Sequence, residues 1–349
     1  MKLVARLKAS AIATALAALK PVLRAAAQAG RRASLCASLC AGLGAGLGAS
    51  APLAAQAAAE PSSCQNVRFA DVGWTDIAAT TGLASVVLES LGYKPSVMQT
   101  MLPVTFAGLK SKHIDAFLGY WKPSMTPMLE PFLRMWNVEV LDRPNLVGAK
   151  YTLAVPDYLY QQGLRSFKDI ARFSKQLGGQ IYGIEPGNDG NALIQGMIQK
   201  NLFGLQSFKL VESSEEGMLA SVKQAVAAQQ PIVFLGWEPH PMNLQFKLRY
   251  LEGGDEVFGA NFGEAKVYTA VGTDYLQRCP NVGTFLRNLQ FDPAIENQVM
   301  AGILAKERPT EVGRSWLKQN PEVLSRWLAG VTTFKGEPAL PSVRKALGL

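Results

Sequence analysis

At 349 residues the chain has room for two domains and a sizeable core, and its formal charge is +8. That charge is concentrated at one end. Residues 1–57 hold seven basic side chains and no Asp or Glu, leaving 28 basic against 27 acidic groups in residues 58–349. A net +1 over the remaining chain excludes charge as an argument for a nucleic-acid partner.

The first element in chain order reads as a targeting segment. From Arg31 a basic start leads into the apolar "ASLCASLCAGLGAGLGASAPLA" and a small-residue exit "AQA" ending at Ala57. Residues 1–57 are therefore expected to be a signal peptide removed on export. The Arg31-Arg32 pair leaves a twin-arginine route open beside ordinary secretion. "GLGAGLG" is not a phosphate loop, because no strand precedes it and its spacing is wrong. No later stretch has eighteen consecutive apolar residues, so no membrane-spanning helix is expected after it. Cys64 and Cys279 remain after cleavage, and in an exported chain such a pair reads as a disulfide before a metal site.

From Cys64 onward, short apolar strands alternate with helical stretches. "NVRFADV" (66–72) predicts a strand, and "TDIAATTGLASVVLESLG" a helix with Thr75 or Asp76 as N-cap and Gly92 as stop. "SVMQTM", a helix near "VTFAGLKS" and a strand "IDAFLG" carry the pattern to Gly119. A second series runs from "AKYTLAV" (149–155) through "QIYGIEP", "NALIQGMIQKNLFG", "FKLVES" and "EEGMLASVKQAVAAQ" to "PIVFLG". Short helices separated by Pro293, Pro309 and Pro321 fill the tail. Repeated strand–helix units predict an α/β protein with mostly parallel strands. Two series of similar size, with Cys279 tied back to Cys64, predict two hinged lobes with a ligand cleft between them. Lobe 1 would hold residues 64–146 and 254–349, lobe 2 residues 147–253, with crossings near 144–150 and 247–260.

Catalytic chemistry is poorly represented. The chain has two histidines, His113 and His240. His113 reads as part of a polar turn and His240 as a rim or structural residue. No G-x-S-x-G, H-E-x-x-H or P-loop pattern appears. "EPGNDGNA" (185–192) reads equally as a helix entry capped by Asn188 or Asp189 and as a ligand-contact loop. An enzyme is the weaker class, and neither a cofactor nor a metal is expected.

Aromatic chemistry is well represented. Trp74 follows "FADVG", Trp121 follows "AFLGY" and Trp237 follows "VFLG", each at a predicted strand exit, where ligands of α/β sheets bind. Tyr151 opens the first strand of the second series, and Trp136, Trp316 and Trp327 read as packing residues. Aromatic faces converging in a cleft suit a quaternary ammonium, which cannot donate hydrogen bonds and is attracted to π faces. Asp76 would add a negative charge beside Trp74. A sugar also stacks on rings, but it needs more polar groups than these strand exits offer.

At these residues "FADVGWTDIAATT", "FLGYWKP", "EGMLA", "GIEPGNDGN" and "IVFLGWEPHPMN" strongly resemble choline-binding periplasmic proteins of bacterial ABC importers, within the glycine betaine/choline-binding family. The likeness covers roughly residues 64–349. It implies two α/β lobes closing on the ligand and an aromatic box of Trp74, Trp121, Tyr151 and Trp237. It also implies Asp76 as the carboxylate near the cation and Asn188 as the amide that bonds the choline hydroxyl. A Cys64–Cys279 disulfide, a periplasmic monomer and a membrane permease as partner follow from the same likeness. Tyr120 departs from it, where a smaller polar residue is expected.

Overall fold

The computed structural model describes residues 59–349, so the signal-segment expectation for 1–57 lies outside the described residues. Nine strands form one sheet: β1 (Asn66–Asp71), β2 (Lys94–Gln99), β3 (Ala116–Lys122), β4 (Val138–Pro156), β5 (Gln180–Tyr182), β6 (Lys209–Val211), β7 (Phe234–Glu238), β8 (Leu248–Tyr250) and β9 (Glu264–Gly272). Their order is β2-β1-β3-β9-β4-β7-β5-β6, with β8 on β4.

Two parallel groups, β1–β3 and β5–β7, sit at opposite ends of this order. Their connections are helices: α1 (Thr75–Ser90), α2 (Leu102–Lys110), α3 (Thr126–Arg134), α4 (Asp189–Gln199) and α5 (Glu215–Ala227). Between the groups run β4 and β9, antiparallel to each other and to β3 and β7. The expectation of mostly parallel strands is thus corrected: it holds inside each group and fails where the chain crosses between them. The crossing at 144–150 is no loop. It lies within the nineteen-residue β4, which shifts register against β9 between Val140 and Ala149. Bulges at these steps accommodate Pro144, which cannot donate to a ladder.

The tail helices α6 (Pro280–Asn288), α7 (Pro293–Leu304), α8 (Pro309–Gln319) and α9 (Ala339–Leu347) return to the first group. There α7, α8 and α9 pack on α1, and Cys64 is disulfide-bonded to Cys279. Helix α1 is buried around most of its circumference, and the polar residues on its buried faces are mostly small: Thr75, Thr80, Thr81 and Ser85. Gly82 lets α8 approach it, since a Cβ there would lie 2.8 Å from the Pro309 carbonyl oxygen. Trp316 and Trp327 are buried as expected. Trp136 is not; it follows α3 and is 85% exposed.

Candidate functional site

The stretches Phe117–Pro123 and Phe234–Pro239 share the run Phe-Leu-Gly before a tryptophan, and they end β3 and β7. Gly119 and Gly236 lie inside their strands. A methyl on Gly119 would overlap Ile77 of α1, and one on Gly236 would sit 2.9 Å from Ala154 Cβ. The glycines are packing residues. The strands therefore continue through them and carry Trp121 and Trp237 to their last turns of pleat, where Pro123 and Pro239 follow.

Around these rings lies a cavity lined by Trp74, Asp76, Trp121, Met125, Tyr151, Ile184, Asp189 and Trp237. Tyr151 is the central ring. Its centroid is 5.8 Å from Trp121 and 6.4 Å from Trp237, with interplanar angles of 51° and 72°. It stands in the interior of β4 and not at the start of a strand, so it faces both strand groups. Its hydroxyl donates to Asn188 Oδ1 at 2.9 Å. Asn188 is the N-cap of α4, and the same oxygen accepts from the Asn191 N–H at 3.1 Å. Its Nδ2 donates to Asp189 Oδ1 at 3.2 Å. In this loop Asn188 caps the helix and Asp189 faces the cavity.

Asp76 is buried, and its Oδ2 accepts from Trp121 Nε1 at 3.3 Å. It is not the α1 cap. Trp74 holds the N-cap position without a side-chain bond, and the Thr75 N–H at the first helical position donates to Glu215 Oε2 at 3.0 Å. Trp74 Nε1 donates to Glu185 Oε1 at 2.8 Å. Glu185 precedes α4 and Glu215 opens α5, so the start of α1 is held by two acids from the other strand group.

Loss of water pushes Asp76 up to about 7, with the negative charge of Glu215 adding to it. Desolvation likewise raises Glu185 to about 7 and Asp189 to about 6. Among the described residues, Asp76 Oδ1 and Asp189 Oδ2 are buried without a hydrogen-bond partner. No cationic side chain lines the cavity among the described residues. An aromatic enclosure with two such carboxylates is built to receive positive charge.

A family model described as the substrate binding domain of ABC-type glycine betaine transport systems matches residues 65–319. The chain belongs to this family. A solved ABC-transporter choline binding protein in complex with choline is 52% identical, with a TM-score of 0.81. That match covers 83% of this chain and 100% of the other. The structure of an ABC-transporter choline binding protein in an unliganded semi-closed conformation, also 52% identical, gives 0.76 and covers 82% and 100%. An uncharacterized protein of Chromohalobacter salexigens is 52% identical over 132 residues, 38% of this chain and 84% of its own length.

Proteins of this family capture a solute for import and do not transform it. Within that frame the sequence reading brought Trp74, Asp76, Trp121, Tyr151 and Trp237 to one cavity, while Asn188 stands just behind its wall. Met125 and Ile184 were missed, since an isolated apolar residue near a strand end has no distinguishing signal. Asp189 has no separate signal as a wall residue within "EPGNDGNA", because capping and ligand contact use the same residue types. Tyr120 is buried against Tyr268 on β9, with ring centroids 6.3 Å apart. It alternates away from Trp121 along β3 and does not line the cavity. His240, read as a rim or structural residue, takes the structural place: it is buried with its ring 5.0 Å from Trp237 and its Nε2 3.2 Å from Glu215 Oε1.

Proposed function

We propose that this protein is a periplasmic receptor that captures choline and delivers it to the membrane permease of an ABC importer, as a monomer freed of residues 1–57. The observation that carries choline is the cavity's charge: aromatic walls, two unpartnered buried carboxylate oxygens and no described basic side chain. Trp74, Trp121, Tyr151 and Trp237 would surround the trimethylammonium group, each contact contributing roughly 0.5–2 kcal/mol. Asp76 would supply the neutralising charge. The hydroxyl would donate to Asp189 Oδ2, with Asn188 orienting that carboxylate and offering its amide as a donor. The comparison supports this reading, since the 52% identical relative was solved with choline.

Lobe 1 would comprise 64–146 and 254–349 and lobe 2 residues 147–253. Phe258, whose ring lies 6.2 Å from Tyr151 and 5.8 Å from Phe167, argues for moving the return crossing a few residues later. Closure would bring Trp74, Asp76 and Trp121 against Tyr151, Asp189 and Trp237, so ligand binding favours the closed state that a permease reads.

Glycine betaine shares the trimethylammonium group, but its carboxylate would meet Asp189 and no described cation. Calorimetric titration with choline, glycine betaine, carnitine and acetylcholine tests this ordering. Choline is expected to bind at least tenfold tighter than glycine betaine, on the order of one charge-assisted hydrogen bond. Glycine betaine binding as tightly as choline would remove Asp189 from its assigned role, and no binding of any quaternary amine would remove the function.

A further inference from the structure

Glu215 does not line the cavity, yet its carboxylate receives three donors. Its carboxylate accepts from the Thr75 N–H, from the Thr75 hydroxyl and from His240 Nε2. The His240 proton can be assigned. Nδ1 accepts from the Met242 N–H at 3.0 Å, so the hydrogen is on Nε2 and points at Glu215. All three donors converge on a residue that is 4% exposed.

Two of those donors belong to a helix end from across the cleft. Helix α1 has no side-chain cap of its own, since Trp74 at its N-cap position cannot accept a bond from the first amides. Glu215 does this from the opposite strand group, placing a carboxylate at the positive end of α1 while it stands in the first turn of α5, where the same polarity favours it. The third donor connects it to the cage. The His240 ring packs on Trp237, and Thr75 lies between Trp74 and Asp76.

We propose that Glu215 is the closure latch of this receptor: a positioning residue that caps α1 in trans only when the lobes close. It would hold Trp74 and Asp76 on one side, and Trp237 through His240 on the other, around the bound ligand. The latch also makes closure depend on a cation. Docking Glu215 on α1 brings its charge toward Asp76, whose ionisation it opposes. A quaternary ammonium in the cage offsets that repulsion, and an empty or anion-filled cage does not. Among the described residues one ion pair joins the halves, Lys306–Glu216 at 2.8 Å; both its side chains are about three-quarters exposed and it adds little.

The proposal rests on the choline reading, and the experiment separates the two. Stopped-flow binding of choline is measured on wild type, Glu215→Ala, Glu215→Gln and Thr75→Ala, with melting curves of each protein free and loaded. Because the bonds exist only in the closed state, Glu215→Ala should raise the dissociation rate roughly tenfold or more and leave the association rate within about threefold. Ligand-free melting should stay at the wild-type temperature, and the choline-induced rise should shrink. Glu215→Gln, which keeps the shape but turns a donor toward Thr75 or His240, should follow Glu215→Ala. Adding Thr75→Ala to Glu215→Ala should cost less than the sum of the single effects. Wild-type protein that does not bind choline overturns the choline reading and the latch with it. Wild-type binding with an unchanged dissociation rate in Glu215→Ala overturns the latch alone, as does a ligand-free melting temperature that falls as far as the loaded one.

Discussion

Trp237 is held on both sides, by the Tyr151 ring at 6.4 Å and by His240 at 5.0 Å. Its orientation is therefore set before any ligand arrives, and the contribution to binding proposed for it would be preorganised. Trp237→Ala removes one cage face and leaves a void beside Tyr151. The choline dissociation constant is expected to rise at least tenfold, and an unchanged constant by calorimetry would take Trp237 out of the cage. Trp121 and Trp237 were legible in the sequence because a strand exit is a local signal: an apolar run, then an aromatic, then a proline. The acids were less so. Asp76 could be placed by its position two residues after Trp74. Glu185 and Glu215, which hold α1, acquire their partners only when distant loops meet, and no local pattern tells which donor each will receive.

Elements rather than single side chains decide where Tyr151 stands. Strand β4 carries it between the two groups, and α4 begins so close behind that a methyl on Gly190 would overlap the Tyr151 hydroxyl. Gly190→Ala is accordingly expected to displace that hydroxyl from Asn188 and tilt the ring into the cavity. A loss of affinity of roughly tenfold or more, with overpacking lowering stability by about 1–3 kcal/mol, is the expected result. Titration and urea unfolding of the same sample check both. Affinity at the wild-type level would mean that the ring does not need this support. The βα units of each group were readable from their periodicity, whereas β4 was read only from 149. Its first half holds Asp142, Arg143, Pro144 and Asn145, a composition that reads as a loop. Pairing with β9 through a series of bulges overrides that local preference.

At the scale of the whole molecule, closure concentrates acids. Asp76 faces Glu215 from α5 and Glu296 from α7, with Trp121 Nε1 as its donor, and Asp189 lies across the cavity. Burial raises Asp76 to about 7 and Asp189 to about 6, and holds Glu296 well above the ordinary carboxyl range. A carboxyl whose folded value is raised contributes stability below its unfolded value, near 4, and loses it as pH rises through the folded value. The ligand-free closed form should therefore weaken between about pH 4 and 7. A bound cation reverses the sign, because it favours the ionised carboxylates. Choline affinity is expected to climb with pH, by at most about tenfold per unit for each coupled proton, and to level off above about pH 7. Calorimetry from pH 5 to 8, in buffers of different ionisation enthalpy, reads both the rise and the protons released. A flat profile with no proton release would mean that Asp76 and Asp189 are already ionised in the empty protein. Because the same ionisation that weakens the empty closed form strengthens the loaded one, the melting-temperature gain on adding choline should widen as pH rises. A gain that narrows instead would leave the aromatic rings, without the carboxylates, as the source of the receptor's preference for a cation.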